Sequence, residues 1–351
     1  MKPGLRTSVI GKISLAGLTT VLLLAFSVTG CSKIGGKSSS SSDTTSTNSD
    51  SAAVITNYDC GTATILATGD PIAGCAWHLK NSAQAAFSSA GGVSGFDINM
   101  IQSETDGYTG TGVKIAISDT GLEIAHEDLA ANIQAGASKN YALAPPYTGD
   151  PTSSATNGDH GTSVAGLIGA VKGNNKGSRG VAATASLAGL NFLAVQTTAT
   201  LIDQADGNFD IFNESWGSGS TAQINIDPTY LTQLRYGVAS LRAGKGAIYV
   251  KAAGNNYGDA VPANMDPFST TPYTINAAAM NANGVASSYS SNGPSIWISA
   301  PGGEYGVSTP AMITTDQSSC SKGYSQPASS VNNFEKGLIN LNQTCHYTSG
   351  F

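Results

Sequence analysis

Six short apolar runs, rich in β-branched residues and separated by segments of helical periodicity, constrain the fold of this chain more than any other feature. They fall at residues 113–118, 187–195, 210–216, 247–253, 273–279 and 296–300. Such runs suit strands buried on both faces, and strands joined through helices lie parallel. A helix is expected over 160–171, with Val164, Leu167, Ile168 and Val171 on one face and Gly173 and Asn174 as stop signals. A second is expected over 230–243, ending at Gly244. The expected fold class is therefore α/β: a doubly wound, mostly parallel sheet with helices on both faces. Reactive residues then belong at the carboxyl ends of strands. No internal repeat is present.

Three fragments meet that expectation in order. Ser118-Asp119-Thr120-Gly121 closes the first run, His160-Gly161-Thr162-Ser163-Val164-Ala165-Gly166 opens the first helix, and Ala252-Ala253-Gly254-Asn255 closes the fourth run. Asp119 supplies an orienting carboxylate, His160 a base and Asn255 a side-chain donor for an oxyanion, three of the parts that acyl transfer to serine requires. Singly each signal is weak, because an aspartate after a strand is usually a turn or cap residue and a histidine opening a helix is usually structural. Their joint order is that of one arrangement of the Asp-His-Ser triad, in which serine comes last. Of the four histidines only His160 is followed by Gly-Thr, whose small side chains allow close packing. No serine fits the nucleophile's place. Ser163 belongs to the histidine helix, Ser290 and Ser291 lie in a turn-like Gly-Pro segment, no Gly-x-Ser-x-Gly elbow exists, and Ser349 is a remote candidate. The sequence is thus expected to be truncated before its catalytic serine.

At 351 residues, 40% of them hydrophobic and 42 of them glycine, the chain has the makings of a loop-rich globular protein. Only 11% of residues are charged and the net charge is -6, so nothing draws it to nucleic acid; a peptide or protein substrate and a monomeric state are expected. Lys2, Arg6 and Lys12 precede an apolar run over 13–28, the pattern of a secretory signal. Its end, Val28-Thr29-Gly30-Cys31, resembles a bacterial lipobox, which makes Cys31 the acylated residue of a lipoprotein held on the periplasmic or cell-surface side of a membrane. An ordinary signal with a chance cysteine is the plainer alternative. Residues 32–53 are a Ser/Thr-rich tether too polar to fold, and 54–351 form the remaining domain. Without Cys31, four cysteines remain in an exported chain: Cys60, Cys75, Cys320 and Cys345. Three pairings are possible. The sequence-local pairs, Cys60 with Cys75 and Cys320 with Cys345, are preferred because both lie in loop-like sequence, and no spacing among them suggests zinc.

The chain resembles the subtilase superfamily, and within it the kexin and proprotein-convertase branch. The resemblance runs over roughly residues 58–351 and is carried by 119–129 (Asp-Thr-Gly-Leu-Glu-Ile-Ala-His-Glu-Asp-Leu), by Ser215-Trp216-Gly217, and by Asp70-Pro71 and Trp77-His78-Leu79-Lys80-Asn81. It implies a subtilisin-like fold and serine endopeptidase activity, with Ser215, Trp216 and Gly217 as the substrate-binding strand. The family continues past its last cysteine loop into Gly-Thr-Ser-x-x-x-Pro, which would follow Phe351. It also implies structural Ca²⁺, with Asp70, Asp128 and Asn174 as side-chain ligands and backbone carbonyls near Val171, Lys176 and Ser178; hard oxygen donors of this kind suit that ion. The alternative is an ordinary surface turn at Gly173-Asn174-Asn175-Lys176-Gly177. Kexin-like enzymes read basic residues through acids near the substrate strand, yet Gly217-Ser218-Gly219-Ser220 carries none, which leaves Asp259 and Asp266 either as substitutes or as solvated loop acids. The segment ahead of the core is too short for the usual propeptide. A catalytically dead peptide-binding lipoprotein is the competing function, and an esterase is disfavoured by residue order.

Overall fold

The computed structural model describes residue 60 and residues 69–351, apart from 157, 159 and 219–221. The apolar leader, Cys31 and the tether lie outside the described residues. Each of the six apolar runs yields a strand: β1 (Lys114–Ser118), β2 (Ser186–Leu190), β3 (Ile211–Glu214), β4 (Ile248–Ala252), β5 (Thr274–Met280) and β6 (Ile298–Pro301). Their order in the sheet is β2-β1-β3-β4-β5-β6, and every neighbouring pair is parallel. The second run is longer than its strand because the backbone leaves the extended region at Asn191 and residues 192–194 wind into a 3₁₀ turn.

Four helices accompany the sheet among the described residues: α1 (Ile101–Thr105), α2 (His160–Gly169), α3 (Thr198–Asp203) and α4 (Pro228–Gly244). The period of two along each strand sends alternate side chains to opposite faces. Ile115, Ile117 and Leu187 pack with Val164 and Ala165 of α2 on one face. Ala116, Ala188, Phe212 and Tyr249 pack with Leu201 of α3 and Leu234 of α4 on the other. Phe212 and Tyr249 are register partners on β3 and β4, and their rings stack with centroids 4.8 Å apart. Helix α4 begins earlier than periodicity suggests because Asp227 caps it, accepting from the Thr229 N–H at 2.7 Å, with Pro228 preset for the first turn.

Beyond α2 lies a short antiparallel pair, β7 (Thr314–Thr315) with β8 (Tyr347–Thr348), backed by Trp77, Met312 and Phe334. The Thr314 and Thr315 hydroxyls donate to the carbonyls of Ser163 and Thr162 at 2.6 and 2.7 Å, which clamps α2 between this pair and the sheet. Cys60–Cys75 and Cys320–Cys345, the two sequence-local pairs, are disulfide-bonded, with Cα atoms 4.1 and 4.9 Å apart. No helix among the described residues is long and apolar enough to cross a membrane.

Candidate active site

Asp119 follows the last residue of β1, and its backbone is fixed on both sides. Its N–H extends the ladder to the Leu190 carbonyl at 2.9 Å, and its carbonyl accepts from the Leu193 N–H at 3.0 Å. The carboxylate is fully buried. It accepts from the Thr120 N–H at 2.7 Å and faces His160 Nδ1 with both oxygens, at 2.8 and 3.0 Å. Nδ1 therefore carries a proton and donates it, which leaves Nε2 as the accepting nitrogen of the neutral ring. The imidazole is 22% exposed, open enough to meet a substrate while its partner is sealed from water.

The small residues of both motifs make this approach possible. A β-carbon at Gly161 would stand 2.1 Å from the Gly121 carbonyl oxygen and 2.8 Å from the Asp119 β-carbon, so the helix can reach the strand end only with glycine there. Gly121 itself has φ +143°, and a β-carbon on it would stand 2.3 Å from the Pro151 carbonyl oxygen. The Thr120 hydroxyl accepts from the Gly161 N–H at 3.2 Å and donates to the Gly158 carbonyl at 3.0 Å, which satisfies one of the donors a helix start leaves open.

His160 opens onto a cleft of about 380 Å³ whose walls also include Ser215, Trp216, Gly217 and Asn255. Asn255 is exposed at the end of β4 beyond Gly254, which has φ +100°, and the neighbouring Asn256 N–H donates to Ser291 Oγ at 3.0 Å. Trp216 acts mainly as an anchor, with Phe192 and Phe268 at centroid distances of 4.9 and 5.1 Å, so the flanking Ser215 and Gly217, just past the end of β3, face the cleft. Of the two acids considered for recognition, Asp266 lines the cleft, whereas Asp259 is exposed and is not part of its wall. Ser349 is buried, with its hydroxyl at 3.2 Å from Glu335 and 3.3 Å from Asn332, and is not part of the wall either. Beneath the 215–217 segment sits Glu214, fully buried, whose carboxyl is pushed up by burial against the opposing effect of the Tyr230 hydroxyl and Lys251.

The residues expected to hold calcium converge on the 171–178 loop. Asp70 accepts from the Gly173 N–H at 2.8 and 2.9 Å and from the Asn174 N–H at 3.1 Å. Asp128 Oδ1 accepts from the Asn174 amide at 2.7 Å, and the Asp128 carbonyl accepts from the Val171 N–H at 2.9 Å. Asp128 Oδ2 is buried with no hydrogen-bond partner among the described residues. Two carboxylates facing one loop, one with an orphaned oxygen, fit a hard cation. Among the described residues no group of three or more His, Cys, Asp or Glu is placed to hold a metal, so such an ion would also draw on amide and backbone oxygens.

A wholly parallel sheet, helices on both faces and this element order define an α/β protein of subtilisin-like fold. The chain belongs to the subtilase family, peptidase S8, which residues 110–337 match. It is 36% identical over 311 residues to an extracellular serine protease of Aeromonas sobria, covering 80% of this chain and 49% of that protein. It is 33% identical over 213 residues to neuroendocrine convertase 2 of Bos taurus, covering 59% of this chain and 32% of the convertase. The crystal structure of the Aeromonas sobria serine protease in complex with its chaperone superposes with a TM-score of 0.71 at 31% identity, over 86% of this chain and 55% of that one. The chain spans about half the length of the Aeromonas relative.

Proposed function

We propose that the chain carries the acid and base half of a serine endopeptidase site, in which His160, oriented by Asp119, takes the proton of an attacking serine and Asn255 steadies the oxyanion. The observation that carries this reading is the 2.8 Å contact of His160 Nδ1 with a fully buried Asp119 at the mouth of a cleft shared with Asn255 and the 215–217 segment. A peptide laid along Ser215 to Gly217 would place its scissile carbonyl between the histidine and the asparagine. The role of nucleophile is assigned to no described serine, and the 351-residue chain is accordingly a poor peptidase by itself. The likeness to a convertase supports a kexin-like branch and hence a peptide-processing role. Cys31, as an acylated terminus, would hold the exported enzyme at a membrane. A chaperone, as in the Aeromonas complex, would assist its folding. Asp70, Asp128 and Asn174, with carbonyls near Val171, Lys176 and Ser178, would hold a calcium ion whose charge offsets the paired carboxylates and ties the segment before β1 to the loop after α2.

The test is peptide hydrolysis by the purified chain and by a form extended past Phe351 with a Gly-Thr-Ser segment and its helix. The expected result is hydrolysis by the extended form only, abolished by His160→Ala. Turnover by the 351-residue chain that a serine-directed reagent blocks would overturn the inactivity. Turnover of the extended form that survives His160→Ala would overturn the base assignment.

A further inference from the structure

A charged cluster lies beside the 215–217 segment and takes no part in the chemistry above. Lys251 of β4 is fully buried, and its Nζ has no hydrogen-bond partner among the described residues. It stands 3.6 Å from Asp266 Oδ2 and 4.7 Å from the centroid of the Trp216 ring. The strand register sets it beside Glu214, whose Oε1 accepts from the Tyr230 hydroxyl at 2.5 Å and the Gln204 amide at 3.1 Å, while Oε2 has no hydrogen-bond partner among the described residues. Two carboxylates share one ammonium. Asp266 is the member that a ligand would meet, since its side chain is 17% exposed and it lines the cleft with Ser215 and Gly217. A β-carbon at Gly217 would stand 2.7 Å from Asp266 Oδ2 and 3.9 Å from Lys251 Nζ, so the ammonium lies beside the carboxylate as viewed from Gly217.

We propose that Lys251 is a specificity-determining residue: its buried ammonium, beside Asp266, offsets that carboxylate, so the subsite at Gly217 distinguishes weakly between cationic and neutral side chains. The proposal rests on reading the cleft as the place where substrate binds. A cation drawn to Asp266 also comes within a few ångströms of Lys251, and a pair sealed from water is screened far less than a surface pair. Removing the ammonium leaves Asp266 as a bare carboxylate at the cleft wall. Glu214, whose carboxyl burial already pushes up, can take a proton when its neighbouring cation is lost.

The experiment measures binding of p-aminobenzamidine, a cation, and of p-aminobenzamide, its neutral counterpart, to the 351-residue chain; neither needs a nucleophile. Lys251→Met should raise the ratio of cation to neutral affinity by about tenfold or more. Asp266→Asn keeps the lysine and the cap on Phe268, and should invert the preference so that the neutral probe binds more tightly. This second variant decides the matter if Lys251→Met does not fold. A ratio unchanged by Lys251→Met, or equal affinities for the two probes in Asp266→Asn, would remove the role assigned to Lys251 while leaving the cleft reading intact. Binding of neither probe to the unmodified chain would remove the cleft reading, and the proposal with it.

Discussion

Gly161→Ala decides whether the contact between the histidine helix and the end of β1 is as tight as its geometry requires. A methyl group there would stand 2.1 Å from the Gly121 carbonyl oxygen, whereas ordinary contact begins at 3.4 Å, so backbone must part by about 1.3 Å. No flexible side chain can absorb this, because the obstacle is main chain, and a β-carbon on Gly121 would itself stand 2.3 Å from the Pro151 carbonyl oxygen. Overpacking of this kind costs about 1–3 kcal/mol, and a backbone obstacle belongs at the upper end. Helix propensity acts in the opposite direction, since alanine is better than glycine by up to about 1 kcal/mol inside a helix. The net expectation is a loss of about 1–2 kcal/mol, a fall in Tm of roughly 2–8 °C for a domain of this size. Gly258→Ala, where a β-carbon meets nothing within 4 Å, is the control. Thermal unfolding followed by circular dichroism gives the shift, and the Nδ1 proton resonance of His160 reports the Asp119 hydrogen bond. A melting temperature raised by Gly161→Ala, with the proton resonance unmoved, would refute the close-packing argument.

Calcium should raise the melting temperature and chelator lower it, because a ligand held only by the folded state stabilises that state by mass action; Asp128→Asn should blunt the response, and identical melts with and without chelator would leave the 171–178 loop an ordinary turn. His78 is fully buried, with neither ring nitrogen hydrogen-bonded among the described residues, and burial lowers its pKa to about 3. Its folded pKa lies below the unfolded value of 6.5, so this contribution to stability is complete above pH 6.5 and is lost toward pH 3, at up to about 1.4 kcal/mol per unit. Urea titrations at pH 7 and 4.5 should therefore show a smaller loss for His78→Leu than for the unmodified chain, and equal losses would sink the assignment. Cys31→Ser should move the exported protein from the membrane to the soluble fraction, and unchanged fatty-acid labelling of that variant would reject acylation at this residue.

The strands were legible because a parallel sheet covered on both faces demands unbroken apolar runs, and each run found its place within a few residues. Where the reading overshot, tertiary contacts decided. The composition of 187–195 stays apolar past Leu190, but the Asn191 side chain accepts from the Tyr141 N–H at 2.6 Å and donates to Asn140 at 2.8 Å, which turns the chain away. The start of α4 was written in Asp227-Pro228, a capping signal that periodicity alone passes over. At the site, the order of the motifs brought Asp119 and His160 together across 41 positions, and Gly121 and Gly161 proved to be the means of that approach. The hydrogen bonds of the Thr120 hydroxyl at the helix start had no signal beyond its place in Asp-Thr-Gly.

Lys251 was invisible for a physical reason. A lysine within a buried run reads as a strand edge or a solvated end, since an unpaired ammonium is costly to desolvate. Only the register that sets Glu214 beside it, and the loop that returns Asp266 from fifteen residues downstream, supply the compensating charges. The surrounding face is aromatic, with Phe212, Trp216, Tyr249 and Phe268 in one core, so packing there does not itself require ions. Buried ion clusters are in general weak sources of stability, and apolar replacements of similar volume are often neutral. If Lys251 served only the fold, replacing it together with Glu214, as Lys251→Met with Glu214→Gln, would change stability or nothing at all. A charge that instead acts on what enters the cleft makes the opposite demand: the double variant keeps a near-normal melt while its preference for a cationic over a neutral ligand shifts, because Asp266 at the cleft wall is the one carboxylate of the cluster left without its counter-charge.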